Sequence, residues 1–298
     1  VRIIVFLVFL CFSCQLISIN GASEDSSYIH TNKEGILEEQ LHGAFNLIYS
    51  YPDSAITIAN DYLLLKHRDD ILIMQSYRVI AHSYLLKFDY NHSIQYFYKQ
   101  LQIAFDIECS RSIAVAYHDI GIANLAFGKY YTAYEYLMKS RSLFDFLDDQ
   151  LNIASINNNI GLIFLNLQNT DNALKHLYTS LKIFKEFDYE IGISSTYNNI
   201  SKCFIDLDDY ESSKHYINKA IALGEKHENT FYLVSFYFNK AEIYLKQNNY
   251  QRATFFFYKS MEYAEKISYN HGLSTAKLGL AKMYYNMGER SEERRVGK

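Results

Sequence analysis

Residues 157–177 read NNNIGLIFLNLQNTDNALKHL, and 40 residues further on, residues 197–217 read YNNISKCFIDLDDYESSKHYI. The two stretches differ in most letters but keep the same skeleton. An Asn-Asn pair leads into Ile and a small residue, an aromatic follows, and a polar turn intervenes. A second small residue then stands four places before a large apolar one. Followed outward, the skeleton covers most of the chain. Small residues recur every 40 positions at Ala81, Gly121, Gly161, Ser201, Ala241 and Ala281. Each follows an aliphatic residue (Ile80, Ile120, Ile160, Ile200, Leu280), with Lys240 as the exception. Twelve residues later stand Ser93, Ala133, Ala173, Ser213 and Ala253, and four after those Phe97, Leu137, Leu177, Ile217 and Phe257.

A period of this length marks a repeat architecture, in which each unit hides its apolar face only against its neighbours. Spacings of three and four between apolar residues identify the units as helical. The 298-residue chain contains one Pro and 12 Gly, so almost nothing in it would break a helix. The spacing predicts first helices near 71–87, 111–127, 151–167, 191–207, 231–247 and 271–287. Second helices begin near 90, 130, 170, 210 and 250. Turns such as Leu207-Asp208-Asp209-Tyr210 and Gln247-Asn248-Asn249-Tyr250 supply the N-caps. An earlier, irregular unit fits with Gly43 and Ala55 as its small pair. With 28 Tyr and 20 Phe, large rings carry much of the packing between helices.

These residues resemble the tetratricopeptide repeat, whose small residues let the two helices of a pair approach closely. The resemblance covers about residues 35–289. Tyr77, Tyr117, Tyr197 and Tyr237 stand where that family has Trp. It implies an all-α fold, a right-handed α-α superhelix of about six to seven helix pairs. The unit is 40 residues long instead of 34, and the usual closing Pro is absent, so longer helices are expected. In this longer form the repeat is similar to those of kinesin light chains and of peptide-sensing regulators of Gram-positive bacteria.

The resemblance further implies a ligand groove lined by the first helices, and hence a peptide or protein partner. One row on them holds Arg78, His118, Asn158 and Asn198, then Phe238; the next holds Asp119, Asn159, Asn199 and Asn239; a third adds His82, Lys202 and Glu242. Asn inside a helix is unfavourable by roughly 0.5–0.7 kcal/mol relative to Ala, so its recurrence has a cause. Two causes fit. Amides that both donate and accept can grip the backbone of an extended peptide, as the kinesin light chain type of repeat does with its Asn. Alternatively, the amides form a ladder bonding one repeat to the next. Asn157, Asn158 and Asn159 lie about 100° apart round a helix, so they cannot all face one groove.

Net charge is −4, with no stripe of Lys and Arg interleaved with aromatics, which argues against nucleic acid. No Gly-rich phosphate loop, HExxH, GxSxG or framed carboxylate pair is present, so neither an enzyme nor a cofactor or metal site is expected. His82 and His118 read as polar groove or core groups. Of four cysteines, Cys11 and Cys14 lie near the N-terminus, and Cys109 and Cys203 read as two thiols ahead of a disulfide.

Both ends are set apart from the repeats. Residues 1–22 join Arg2 to an apolar run and a small polar exit, the make-up of a signal peptide, with residues 23–34 as linker. Cleavage near Gly21 or Ala22, lipidation at Cys14 and retention as an anchor are the alternatives. The chain is therefore expected to be exported, periplasmic or anchored facing the periplasm. Val1 in place of Met reads as a GTG start in a bacterial gene. Residues 290–298, RSEERRVGK, match the translation of a sequencing adapter and have no relation to the repeats. On this reading the natural protein continues beyond Glu289, and membrane contact comes only through the leader or a later segment. By likeness to Bacteroidetes-type regulators, the array is the extracytoplasmic sensory part of a protein ending in a LuxR-type helix-turn-helix or a histidine kinase. The alternative is a free periplasmic or lipid-anchored scaffold with no output domain.

Overall fold

The computed structural model describes the backbone of residues 33–65 and 69–296, and the side chains of 39–65 and 69–288. The leader (1–22), the linker as far as residue 32, and residues 297 and 298 lie outside the described residues. Among these there are thirteen helices and no strand: α1 (Lys33–Leu47), α2 (Pro52–Leu63), α3 (Asp70–Leu86), α4 (Tyr90–Asp106), α5 (Ser110–Ala126), α6 (Tyr130–Phe146), α7 (Gln150–Asn166), α8 (Thr170–Glu186), α9 (Glu190–Asp206), α10 (Tyr210–Lys226), α11 (Thr230–Lys246), α12 (Tyr250–Lys266) and α13 (Asn270–Val296). The fold is all-α, built of helix pairs. From α3 to α12 every helix is 17 residues long and lies within one residue of its expected place. The chain divides into two compact units at Ile163/Phe164, inside α7.

The turns explain how a chain with one Pro stops ten helices on time. After each helix a residue adopts positive φ: Phe88, Glu108, Gly128, Asp148, Gln168, Asp188, Asp208, Glu228, Asn248 and Ser268. At the first of them Phe88 N–H donates to Leu85 O (3.1 Å) and Asp89 N–H to Tyr84 O (2.9 Å), the Schellman arrangement that uses the last free carbonyls. The next residue caps the following helix. Asp89, Asn169, Asp209, Asn229 and Asn249 each accept from a backbone N–H three residues on. At these five turns one residue in the left-handed region and one capping oxygen make the whole turn, whereas Cys109, Lys129 and Tyr189 lead into their helices without a side-chain cap.

Packing follows the small residues. Ala81, Ser93, Ala133, Ala173, Ser201, Ser213, Ala241 and Ala253 are all wholly buried. At Gly121 an added Cβ would sit 2.8 Å from Leu137 Cγ, inside contact distance, so the α5–α6 pair closes only around glycine. Ser201 and Ser213 exchange hydrogen bonds with each other's backbone carbonyl (2.9 Å each way). Aromatics complete each pair by face stacking: Tyr84 on Tyr96 (5.8 Å), Phe204 on Tyr216 (5.5 Å) and Tyr244 on Phe256 (5.4 Å). First helices such as α9 and α11 are buried on nearly every face, whereas α10 buries one stripe of Ser213, Ile217, Ala220, Ile221 and Gly224.

Two expectations need correction. In the irregular first pair the small residues are Ala44 and Ala55, both 0 % exposed, while Gly43 faces outward, and a methyl group added there would meet nothing within 4 Å. The turn before α2 has no left-handed residue; it leads through Tyr51 into Pro52 at the first helical position, so the two helices meet in a different register. At the other end α13 does not stop near 287 but runs to Val296. The residues after Gly288 include Arg and Glu, good helix formers, and no following helix draws the chain into a turn among the described residues. Cys203 is buried, its thiol pushed up to about 12 by that burial, and Cys109 is half-buried; both are free.

Gly43→Ala should raise stability by about 0.5–1 kcal/mol, because it removes glycine's entropy cost in a helix without a clash. Gly121→Val should lower it by about 1–3 kcal/mol through overpacking against Leu137. Urea-unfolding midpoints of the two variants check both signs.

Candidate functional site

The polar rows on the first helices are brought together by the 40-residue period plus one. A residue of the first row on one helix meets a residue of the second row on the next. In the N-terminal unit Arg78 on α3 donates through Nε to Asp119 Oδ2 on α5 (2.7 Å) and through Nη2 to Oδ1 (3.4 Å). Asn159 Nδ2 on α7 lies 2.9 Å from His118 Nε2 on α5. In the C-terminal unit Asn239 Nδ2 on α11 donates to Asn198 Oδ1 on α9 at 2.7 Å. Each pair is separated by 41 residues in sequence. Within α9, Asn198 Nδ2 donates to Asn199 Oδ1 (3.3 Å), tying the two rows together.

These groups are deep. Asn158, Asn159, Asn198 and Asn199 are 0 % exposed, and Asn239 is 8 % exposed. A buried amide without a partner would cost about 1–3 kcal/mol, and the neighbouring repeat supplies the partner. Of the three successive asparagines, Asn157 turns back to donate to Ile153 O (2.9 Å), while Asn159 reaches His118. Asn159 Oδ1 has no hydrogen-bond partner among the described residues. Beyond the polar row, Phe238 continues the first row and its ring lies 3.2 Å from where a Cβ on Gly279 would stand, so an apolar contact takes the place of the hydrogen bond.

Charge is concentrated in the N-terminal unit. His82 on α3 is buried, its Nε2 3.5 Å from Asp119 Oδ1 and its ring edge-on to Phe97 at 4.9 Å. Burial works against ionising Asp119, but the Arg78 guanidinium and His82 outweigh it and hold the carboxyl well below the usual range. Burial pushes His118 down to about 4 despite the attraction of Asp119. Accepting at Nε2 from Asn159, His118 is the neutral tautomer with its proton on Nδ1. Burial lowers His82 likewise.

The third row differs in the C-terminal unit. Lys202 on α9 and Glu242 on α11 are each half-buried, and neither has an ion pair among the described residues. Burial pushes Lys202 down and Glu242 up, and the more distant charges of Asp206 on one side and of Lys282 and Lys246 on the other counter it only in part. The structure thus places the ten candidate residues on consecutive first helices. It unites Arg78 and His82 around Asp119, joins His118 on the same helix to Asn159, and brings Asn198, Asn199 and Asn239 into a second group. Lys202 and Glu242 stand apart. The cross-repeat pairing is not evident from either row alone; its signal is the 41-residue offset between complementary types, plainest in Arg78 and Asp119.

Comparison with known proteins bears on the repeat fold. Residues 152–226 and 234–267 match tetratricopeptide repeat models. No curated protein matches the chain in sequence. Among solved structures, the Rap protein complexed with competence and sporulation factor is similar, with a TM-score of 0.71 at 15% identity over 87% of this chain and 77% of that one. NprR in complex with its cognate peptide NprX gives 0.69 at 15% identity, over 88% and 78%. Aspartyl phosphate phosphatase F from Bacillus subtilis gives 0.59 at 17% identity, over 84% and 70%. At these identities the likeness establishes the tetratricopeptide-like helical repeat fold.

The depressed histidines make stability pH-dependent with a definite sign. The unfolded chain protonates His118 near 6.5 and the folded chain only near 4, so stability is full above 6.5 and falls as pH drops toward 4. The loss from this one group is on the order of 3 kcal/mol. His82 loses stability in the same direction, whereas Asp119 adds its own loss only below the ordinary carboxylate range. Thermal midpoints between pH 7 and 4 should fall steeply for the native chain and less steeply for His118→Gln.

Proposed function

We propose that this chain is a peptide- or protein-binding repeat module, and that its ligand lies along the first helices with Lys202 and Glu242 as charged contacts. The observation that carries the reading is the state of those two side chains. They are half-buried on adjacent first helices, shifted toward neutrality by burial, and without an ion pair among the described residues. A ligand supplying a carboxylate to Lys202 and a cation to Glu242 would offset both desolvation costs. Asn198, Asn199 and Asn239 then form the floor of the site within the C-terminal unit. Fold likeness to Rap, solved with competence and sporulation factor, and to NprR, solved with its cognate peptide, supports the same reading. Likeness to a phosphatase does not carry an activity to this chain, because fold alone does not specify chemistry.

The wider role we infer is sensory and extracytoplasmic. It rests on the signal-like composition of residues 1–22 and on the family analogy to exported repeat arrays joined to a transcriptional or kinase output. No helix of the described residues is long and apolar enough to cross a membrane. Residues 1–34 fused to a reporter active only outside the cytoplasm test export. Sequencing the genomic locus across codon 289 tests whether an output domain follows or the scaffold stands free.

Binding itself is tested with a panel of extended peptides of mixed charge, by calorimetry. Lys202→Ala together with Glu242→Ala should weaken the best binder about tenfold or more while leaving the thermal midpoint unchanged or slightly raised, since two desolvated charges disappear. Unchanged affinity in that double variant would remove these residues from the ligand site.

A further inference from the structure

Two tyrosines on successive second helices meet hydroxyl to hydroxyl. Tyr98 on α4 and Tyr136 on α6 stand 38 residues apart in sequence, and their Oη atoms are 2.8 Å apart. The rings meet edge to face, with centres 6.2 Å apart and planes at 73°. Two repeats on, Tyr178 on α8 and Tyr216 on α10 renew the arrangement with hydroxyls 3.3 Å apart. Rings that close a single helix pair meet differently: Tyr84 and Tyr96 stack face on face at 12°. Tyr98 and Tyr136 instead bring together the edges that carry their hydroxyls. Tyr98 is 44 % exposed and Tyr136 half-buried, so solvent reaches the pair. A hydrogen bond between two neutral phenols there adds little to stability, because water would serve each equally well. Its chemical consequence is greater. An oxidised phenol carries its unpaired electron on oxygen and on the ring carbons ortho to it, and those carbons adjoin the ones that bear the touching hydroxyls.

We propose that Tyr98 and Tyr136 are a site of oxidative cross-linking, coupled to a dityrosine by a peroxide-driven one-electron oxidant such as a haem peroxidase. Each phenol gives up one electron and its hydroxyl proton, and the proton passes to solvent. The two phenoxyl radicals join through a carbon–carbon bond between ortho positions. Each ortho hydrogen then moves to its oxygen, which restores two phenols. One hydrogen peroxide takes up both electrons and two protons and leaves as two waters. In the product the hydroxyls flank the new bond and face each other, as they already do in the pair. Burial, helped by the Tyr98 hydroxyl, pushes Tyr136 up to about 12, so at neutral pH it loses its proton only together with an electron. Lys139 Nζ lies 4.8 Å from the Tyr136 ring centre, and a cation there makes that ring harder to oxidise. The first electron therefore leaves Tyr98, the more exposed of the two. The finished link ties α4 to α6 and fixes the spacing of their repeats within the N-terminal unit.

The test treats the full chain with a haem peroxidase and limiting hydrogen peroxide at several dilutions, followed by tryptic digestion and mass spectrometry. A linked pair of peptides 88–99 and 130–139 is expected, joined from Tyr98 to Tyr136. The blue fluorescence of dityrosine should appear at a rate independent of protein concentration, as a link within one molecule requires. Tyr98→Phe should abolish the linked pair, whereas Tyr131→Phe, at a residue 77 % exposed, should leave it unchanged. Both positions are exposed, so both variants keep the fold, which circular dichroism verifies. A link from Tyr136 to Tyr117, whose ring centres are 5.8 Å apart, in place of Tyr98 would overturn the proposal. So would cross-links formed only between molecules, an undiminished yield in Tyr98→Phe, or no dityrosine at all.

Discussion

A polar side chain sealed inside a helical stack must find its hydrogen-bond partner on a neighbour, and that requirement sets the register of this molecule. Asn239 meets Asn198, Asn159 meets His118, and Arg78 meets Asp119, each across the same step of one repeat plus one residue. Apolar contacts between helices tolerate a slide of an ångström or two. A pair of amides at 2.7–2.9 Å does not. The small residues determine how close the helices come, and the polar row determines where along each other they stop. The same row keeps Arg78 and His82 together against one carboxylate, Asp119.

The turns serve the same end. A residue in the left-handed region ends each helix from α3 to α12 after 17 residues, with a capping oxygen behind it at Asp89, Asn169, Asp209, Asn229 and Asn249, which keeps the first helices α3 to α11 the same length and their rows aligned. Where that turn is missing, before α2, the register shifts and a different small residue is buried.

Helix number, length and pairing were legible in the sequence because they depend on small residues and apolar spacing, which recur in plain letters from Ala81 to Ala281. The left-handed turn positions were not, because Phe88, Glu108 and Gln168 occupy them as readily as Gly128 does, held there by the helices on either side. For the site, the row positions were visible but their use was open. An Asn that grips a ligand and an Asn that bonds the next repeat have the same period. Only the one-residue offset between partners distinguishes them, and that offset becomes evident once two helices are seen side by side. Lys202 and Glu242 looked like the other groove residues in sequence; their want of an ion pair is a property of the packing.

The most direct test of this account is a double-mutant cycle on Asn198 and Asn239, read as unfolding free energy. If the ladder holds register, Asn198→Ala and Asn239→Ala should each cost about 1–3 kcal/mol, and together less than their sum by about 1 kcal/mol, since the second removal orphans nothing new. Single effects within about 0.5 kcal/mol and a coupling near zero would contradict it and return the asparagines to the ligand.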